Sequence, residues 1–523
     1  MQFFIKSLKY MRSLFSIGVL LIWTLGAVAQ SVTIRPSGIT PAIGGTYPRL
    51  AYDALVALPN PQRGDMAYDL TFNCLRIYNG NKWVCTFQSP TDLTPNMAAI
   101  ARGGGTDWDN GYDVAVDGSG NFYVTGSFEG TATFGTISLT SVGFGDIFVA
   151  KYNSSGTLQW VQKAGGSGGD FGYEIAVDGG DNVYITGYFG GSATFGTTHL
   201  TSGEYDNIFV AKYSSSGTLQ WVQKAGGASG DGASGIAADG SGNVYVTGNF
   251  LRTAAFGTTN LTSTGGTDIF VAKYNSSGTL QWVQKAGGVN NEVGQGVAID
   301  GSGNVYVTGY FQGVATFGTT SLTAAGSVGN NDIFVAKYNG SGTLQWVQKA
   351  GGTSPDVSQS IAVDGGGNVY ITGFLQGTAT FGTTSVTSAG SGDIFVAKYN
   401  GSGTFQWVQK AGGPEMDRGH SVAVDGSGNV YLRGSFQGTA IFGSTTLTSA
   451  GVGDMFVAKY NGSGVLQWIQ KAGWMGDEEE SGLAVDSGGS VYVTGNFLGT
   501  ATFGTTTLTS AGSRDIFVAR IDR

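Results

Sequence analysis

Seven carboxylates stand at one fixed place in this 523-residue chain. Asp109, Asp170, Asp231, Glu292, Asp356, Asp417 and Glu478 each lie eight residues before an Asp that ends an Ala-(Val/Ile/Ala)-Asp motif. Those closing residues are Asp117, Asp178, Asp239, Asp300, Asp364, Asp425 and Asp486. Carboxylates repeated in this way have two uses. They can supply hard oxygen ligands to a metal such as calcium, or meet a basic ligand. They can also accept backbone N–H bonds and fix a Gly-rich turn. The second use is the commoner, although Glu at two of the seven positions suits it less well. Beside them stand residues that change from copy to copy: Trp108, Tyr112, Phe171, Tyr173, Arg418, His420, Trp474 and Met475. Aromatics on a variable loop are the usual material of a carbohydrate- or protein-binding surface.

Other chemistries find less support. His occurs only at His199 and His420, in different copies, which excludes a multi-His zinc site. No nucleophile-elbow, phosphate-loop or dinucleotide motif stands in a strand–turn–helix context. The stretch 117–121, Asp-Gly-Ser-Gly-Asn, lacks the alternating acids and distal Glu of a calcium loop, and reads as a hairpin turn. The adjacent acids Glu478-Glu479-Glu480 read as a solvated loop. A polysaccharide hydrolase needs two carboxylates across a cleft, which spacing alone does not place. No catalytic residue is assigned and no cofactor is required, with calcium the one candidate ligand.

The elements that must carry these residues repeat. The closing Asp residues are spaced 61, 61, 61, 64, 61 and 61 apart, giving seven copies after residue 100. Each copy holds four runs rich in β-branched and aromatic residues, in the second copy 175–178, 182–189, 207–213 and 219–225. Ser/Gly/Asn turns join the first run to the second and the third to the fourth, where Gly supplies positive φ. Four antiparallel strands per unit, seven times over, predict an all-β chain: a seven-bladed β-propeller of four-stranded blades. The fourth run, centred on Trp160, Trp221, Trp282, Trp346, Trp407 and Trp468, occurs only six times. Its missing copy aligns with Met97-Ala98-Ala99-Ile100-Ala101-Arg102-Gly103, so an N-terminal outer strand should close the ring. Ala99 stands where Trp is expected, which predicts the least well packed blade. The connection from second to third run is long, and its Ala-Thr-Phe-Gly-Thr-Thr core predicts an extra hairpin pinned to the blade by Phe134 and its equivalents. That connection and the one from fourth to first run share one face, which should set the seven carboxylates around a central channel.

Copies such as Ile361-Ala-Val-Asp-Gly-Gly-Gly-Asn-Val-Tyr-Ile-Thr-Gly373, Asp393-Ile-Phe-Val-Ala-Lys-Tyr399 and Gln406-Trp-Val-Gln-Lys-Ala-Gly412 resemble the bacterial SBBP type of β-propeller repeat. The resemblance covers roughly 100–523. It implies an extracellular or cell-surface protein and carries over no catalytic residue.

Composition agrees with a folded, Gly-punctuated β protein. Gly makes up 90 residues, about 17% against a usual 7% or so, while aromatics at 12% are too many for a disordered chain. Residues 1–29 read as a signal peptide: Lys6, Lys9 and Arg12, an apolar stretch over 14–25, then Ala27-Val28-Ala29. Removing it takes the net charge from −9 to −9 − 3 = −12. An acidic chain without basic clusters argues against nucleic acid, and no later stretch is apolar enough to span a membrane. Residues 30–95 form a β-hairpin module with linker, ahead of the propeller at 96–523. There an Asn79-Gly80 turn would pair positions summing to 159, setting Cys74 opposite Cys85 for a disulfide in an oxidising compartment. The expected protein is a secreted, periplasmic or cell-surface monomer. It binds a protein or glycan through its variable loops. The alternatives are a polysaccharide-active enzyme and a structural or adhesive surface protein.

Overall fold

The computed structural model describes residues 97–522 apart from Val328 and 475–480. Before them it describes a set of short strands together with residues 57 and 61. Every regular element among the described residues is a strand. The chain divides into two compact units, Met1–Thr94 and Pro95–Arg523.

In the larger unit the second copy is typical. Asp170–Val177, Val183–Phe189, Asn207–Tyr213 and Leu219–Gly227 pair antiparallel in chain order. The middle two strands are buried almost throughout, because neighbouring sheets cover both faces. One cluster joins Tyr123, Ile147 and Val149 of the first copy to Val183, Ile185 and Phe209 of the second. That explains the unbroken apolar run Ile-Phe-Val-Ala in a strand where alternation would mark a half-exposed sheet. The first strand starts at Asp170, five residues before the expected 175, so part of the expected connection is strand. A bulge inside it breaks the two-residue period that sequence reading relies on.

Turns and seams follow from particular residues. Asp178 accepts backbone N–H bonds from Gly180 and Asn182 and the Tyr184 hydroxyl at 2.8 Å, so the turn's own donors use up its oxygens. The extra hairpin, Ser192–Phe195 with Thr198–Thr201, is present, but it does not simply lie on its own blade. Phe195 is buried 4.9 Å from Phe209 of its own copy, while its backbone pairs with Leu158–Gly166 of the copy before. The hairpin thereby covers the outer edge of the preceding sheet, an edge that would otherwise invite aggregation. A second fastening runs between turns. The Trp160 indole N–H donates to the Ser215 carbonyl of the next copy at 3.0 Å. Its ring lies over Gly217, where φ is +82° and a Cβ would come within 2.7 Å.

Met97–Gly104 pairs antiparallel with Thr506–Ile521, and Thr131–Phe134 in turn pairs with Met97–Gly104. Arg102 meets Asp515 at 2.6 Å, in the place of the Lys163–Asp146 pair. In the Trp-less copy the Arg520 guanidinium donates to the Ser154 carbonyl at 2.6 Å, taking over the bond that Trp makes elsewhere. The first strands of successive copies pack side by side from Asp109–Val116 onward, and Leu483–Val485 packs against Asp109–Val116.

In the smaller unit, Gly18–Leu20, Val32–Arg35 and Gly38–Pro41 form one sheet. Arg49–Leu50, Met66–Asp69, Cys74–Tyr78 and Trp83–Phe87 form another. The hairpin register differs from the expected one. Tyr78 pairs with Trp83 and Arg76 with Cys85, so these pairs sum to 161. That register sets Tyr78 directly across from the buried Trp83, rings 5.6 Å apart. Cys74 pairs with Asp69 instead. The cysteine side chains, and residues 1–30 outside Gly18–Leu20, lie outside what the structure describes.

Candidate functional site

The bulge in each first strand builds the site. In the second copy Gly172 pairs with Gly187 and Glu174 with Thr186, so Tyr173 is the bulged residue. A Cβ on Gly187 would sit 1.9 Å from the Phe171 carbonyl, so the Thr-Gly of the second run is what lets the backbones close up there. Five further copies slip at the same point, bulging out Tyr112, Ser234, Gln295, Gln359 and His420. All six, together with Ser481 at the same offset in the seventh copy, line one cavity of about 630 Å³. Bulges commonly re-aim a side chain in this way beside binding sites.

The cavity wall is polar and, for the most part, uncharged. Asn249, Asn291, Gln312 and Asn331 join the bulged residues, and no Lys or Arg lines it. Chemistry is uneven from copy to copy. On one arc the rings of Tyr112 and Tyr173 are 5.1 Å apart, with Phe171 and Tyr188 stacked behind. Glu174 lines the cavity on that arc, and its side chain is hydrogen-bonded to Asp113. Asp113 also accepts the Ile175 N–H at 3.0 Å across to the next copy. Burial pushes the Asp113 carboxyl up to about 7. In another copy, burial first and then the charges of Arg433 and Arg418 press His420 well below the ordinary imidazole value, so it is neutral. Its Nε2 lies 2.9 Å from Ser435 Oγ. Its Nδ1 and the Gln359 Oε1 have no hydrogen-bond partner among the described residues. Arg433, fully buried, occupies the slot that Thr fills in the other six copies.

The repeated carboxylates are not at this cavity, contrary to the expectation from spacing. Asp109, Asp170, Asp231, Glu292, Asp356 and Asp417 are at most 2% exposed, enclosed within the sheets. Each accepts the N–H of a Gly four residues earlier, as Asp170 does from Gly166 at 2.7 Å. The other Asp170 oxygen takes the Gly190 N–H at 3.2 Å. Burial raises their carboxyls to about 7 in Asp109, Asp170, Glu292 and Asp356, and to about 6 in Asp231 and Asp417. They act as loop fasteners. Among the described residues no three His, Cys, Asp or Glu are grouped to hold a metal ion.

A model of the SBBP β-propeller repeat matches residues 159–188, 220–249, 281–310 and 345–373. These segments are SBBP-type β-propeller repeats. The chain is 26% identical over 508 residues to an uncharacterized WD repeat-containing protein, L264, of Acanthamoeba polyphaga mimivirus, covering 78% of this chain and 37% of that one. It is also 25% identical over 304 residues to the regulatory protein FlaEY of Caulobacter vibrioides, covering 54% and 31%. The chain thus spans about a third of the length of the curated relatives it matches. A solved protein of unknown function from Dyadobacter fermentans aligns over 82% of this chain and all of its own, at 10% identity and a TM-score of 0.38.

Within the copies, the variable residues singled out by sequence separate into three groups. Tyr112, Tyr173 and His420 line the cavity, with Phe171 directly behind. Trp108 and Arg418 do not line it: Trp108 is 48% exposed under the Arg514 guanidinium, and Arg418 lies over Phe374 at 5.4 Å. The Trp474 side chain, Met475 and Glu478 lie outside the described residues. Sequence reasoning missed Ser234, Gln295, Gln359 and Ser481. The signal was available, since all seven stand five residues before the repeat Asp.

Proposed function

We propose that this protein is a secreted or cell-surface, non-catalytic binding module. Its seven blades form a closed ring and present one polar cavity to a glycan or to a polar loop of a protein. The pairing of Met97–Gly104 with Thr506–Ile521 and the side-by-side packing of first strands support the ring. Export rests on the signal-like segment 1–29, and the Cys74–Cys85 disulfide would accompany it.

One observation carries the binding reading. Seven similar copies each place a residue that varies from copy to copy, five before the repeat Asp, in the same cavity, so the scaffold is repeated while the cavity wall is individual. Amides, hydroxyls and tyrosine rings suit a hydroxyl-rich ligand, which stacks on rings and exchanges hydrogen bonds with amides. The enzyme alternative is less well supported. Glycoside hydrolysis separates its carboxyls by at least about 5 Å, whereas Asp113 and Glu174 are bonded to each other. A glycan panel followed by calorimetry on the Gln295→Ala/Gln359→Ala variant tests the proposal. Binding lost or weakened at least tenfold in a folded variant is expected. Binding that the variant leaves intact would place the ligand elsewhere.

A further inference from the structure

Resting on the glycan reading of the cavity, we infer that its ligand is an amino sugar with a free ammonium group, seated against Tyr112, Tyr173 and Glu174. Three features of the wall lead there.

The first is what the wall lacks. Among the described residues, Gln359 Oε1 and His420 Nδ1 at the wall have no partner, the latter on a side chain only 8% exposed. The amide oxygen can only accept. When Nε2–H donates to Ser435, the imidazole Nδ1 also only accepts. Buried acceptors left open in this way call for a ligand rich in donors. The second is charge. Among the described residues Glu174 is the only carboxyl lining the wall, with Asp113 adjoining it, no Lys or Arg lines it, and His420 is neutral. Arg433 and Arg418 stand behind His420, so a positive charge is favoured on the Tyr–Glu arc and disfavoured beside the imidazole. The third is the aromatic surface. The four clustered rings Tyr112, Phe171, Tyr173 and Tyr188 adjoin that carboxylate, and an ammonium over a ring face is attracted by the ring's negative face, more strongly as it is desolvated. A neutral sugar meets the first requirement only, and an alkylammonium without hydroxyls the last two only. An amino sugar meets all three.

The test is calorimetry on the full chain with a glucosamine oligomer and its N-acetylated counterpart of equal length. The amine form is expected to bind at least tenfold tighter. Glu174→Gln should erase that preference while leaving affinity for the acetylated form, and Gln359→Ala should weaken both forms alike. Tyr112→Leu, which leaves the acids in place, should lower affinity for the amine form selectively and serves where Glu174→Gln fails to fold. Equal affinity for the two oligomers, or a preference that survives Glu174→Gln, overturns the inference while leaving the glycan reading standing. Binding of neither oligomer, with a wider panel also silent, removes both.

Discussion

Neutralising one of the buried loop carboxylates should stabilise the protein at neutral and alkaline pH, and little in acid. Asp170 is the cleanest case. It is fully buried, its oxygens accept the Gly166 and Gly190 N–H groups, and Asp146 lies close by with its Oδ1 unpartnered. The two carboxylates approach Gly165 together: a Cβ there would come within 2.6 Å of Asp146 and 2.9 Å of Asp170. Burial, then Asp146 and Asp206, raise the Asp170 carboxyl from 3.8 to about 7 against its two backbone hydrogen bonds. A carboxyl raised by folding binds more protons in the native state. Its stabilising contribution is therefore complete below about pH 4 and is lost as pH rises through about 7. At 1.36 kcal/mol per pH unit the ionised form loses at most roughly 4 kcal/mol by pH 8. Asn in place of Asp removes that loss. Like the protonated acid, it must give up one of two acceptor roles, at about 1 kcal/mol. Asp170→Asn is thus expected to gain about 1–3 kcal/mol at pH 8 and to be near neutral at pH 5, read by denaturant unfolding at both values. The chain contains its own control, since Asn207 replaces the neighbouring acid in the next copy. There Asp231 is raised only to about 6, with no carboxylate among the causes, so Asp231→Asn should gain less. A change of equal size at both pH values, or destabilisation at pH 8, would refute the electrostatic account.

Three more outcomes follow from the seams and the hairpin. Trp221→Ala, which loses the bond to the Ser276 carbonyl at 3.0 Å and the ring over Gly278, should cost about 2–4 kcal/mol in thermal unfolding. Arg102→Ala leaves Asp515 buried without its cation. It should raise hydrogen exchange in 97–104 and 506–521 well above that of other strands, whereas uniform protection would count against a closing strand. Intact-mass measurement with and without reductant should show Cys74 and Cys85 joined in the exported protein. Two free thiols would remove that bond, which now has to span Cys74 opposite Asp69 and Cys85 opposite Arg76.

The repeat itself was legible in the residues. The 61-residue period, the Asp-Gly turns, the Asn207–Tyr213 strand and the salt-bridge position shared by Arg102 and Lys163 all depend on local chemistry that recurs seven times. Repetition averages away the ambiguity of any single copy. What a residue faces was not legible. Tyr173 and Asp170 lie three apart in one segment, yet a one-residue bulge turns Tyr173 into the cavity while Asp170 is sealed inside the sheet. A bulge inverts the inside–outside alternation beyond it, and its position depends on a Gly across the ladder, in another strand. The meeting of Tyr112, Gln359 and His420, 61 to 308 positions apart, depends on how the sheets stack around one another. Local sequence determined the strands and turns of this protein. Long-range packing alone decided which of its acids are fasteners and which of its loop residues share a cavity.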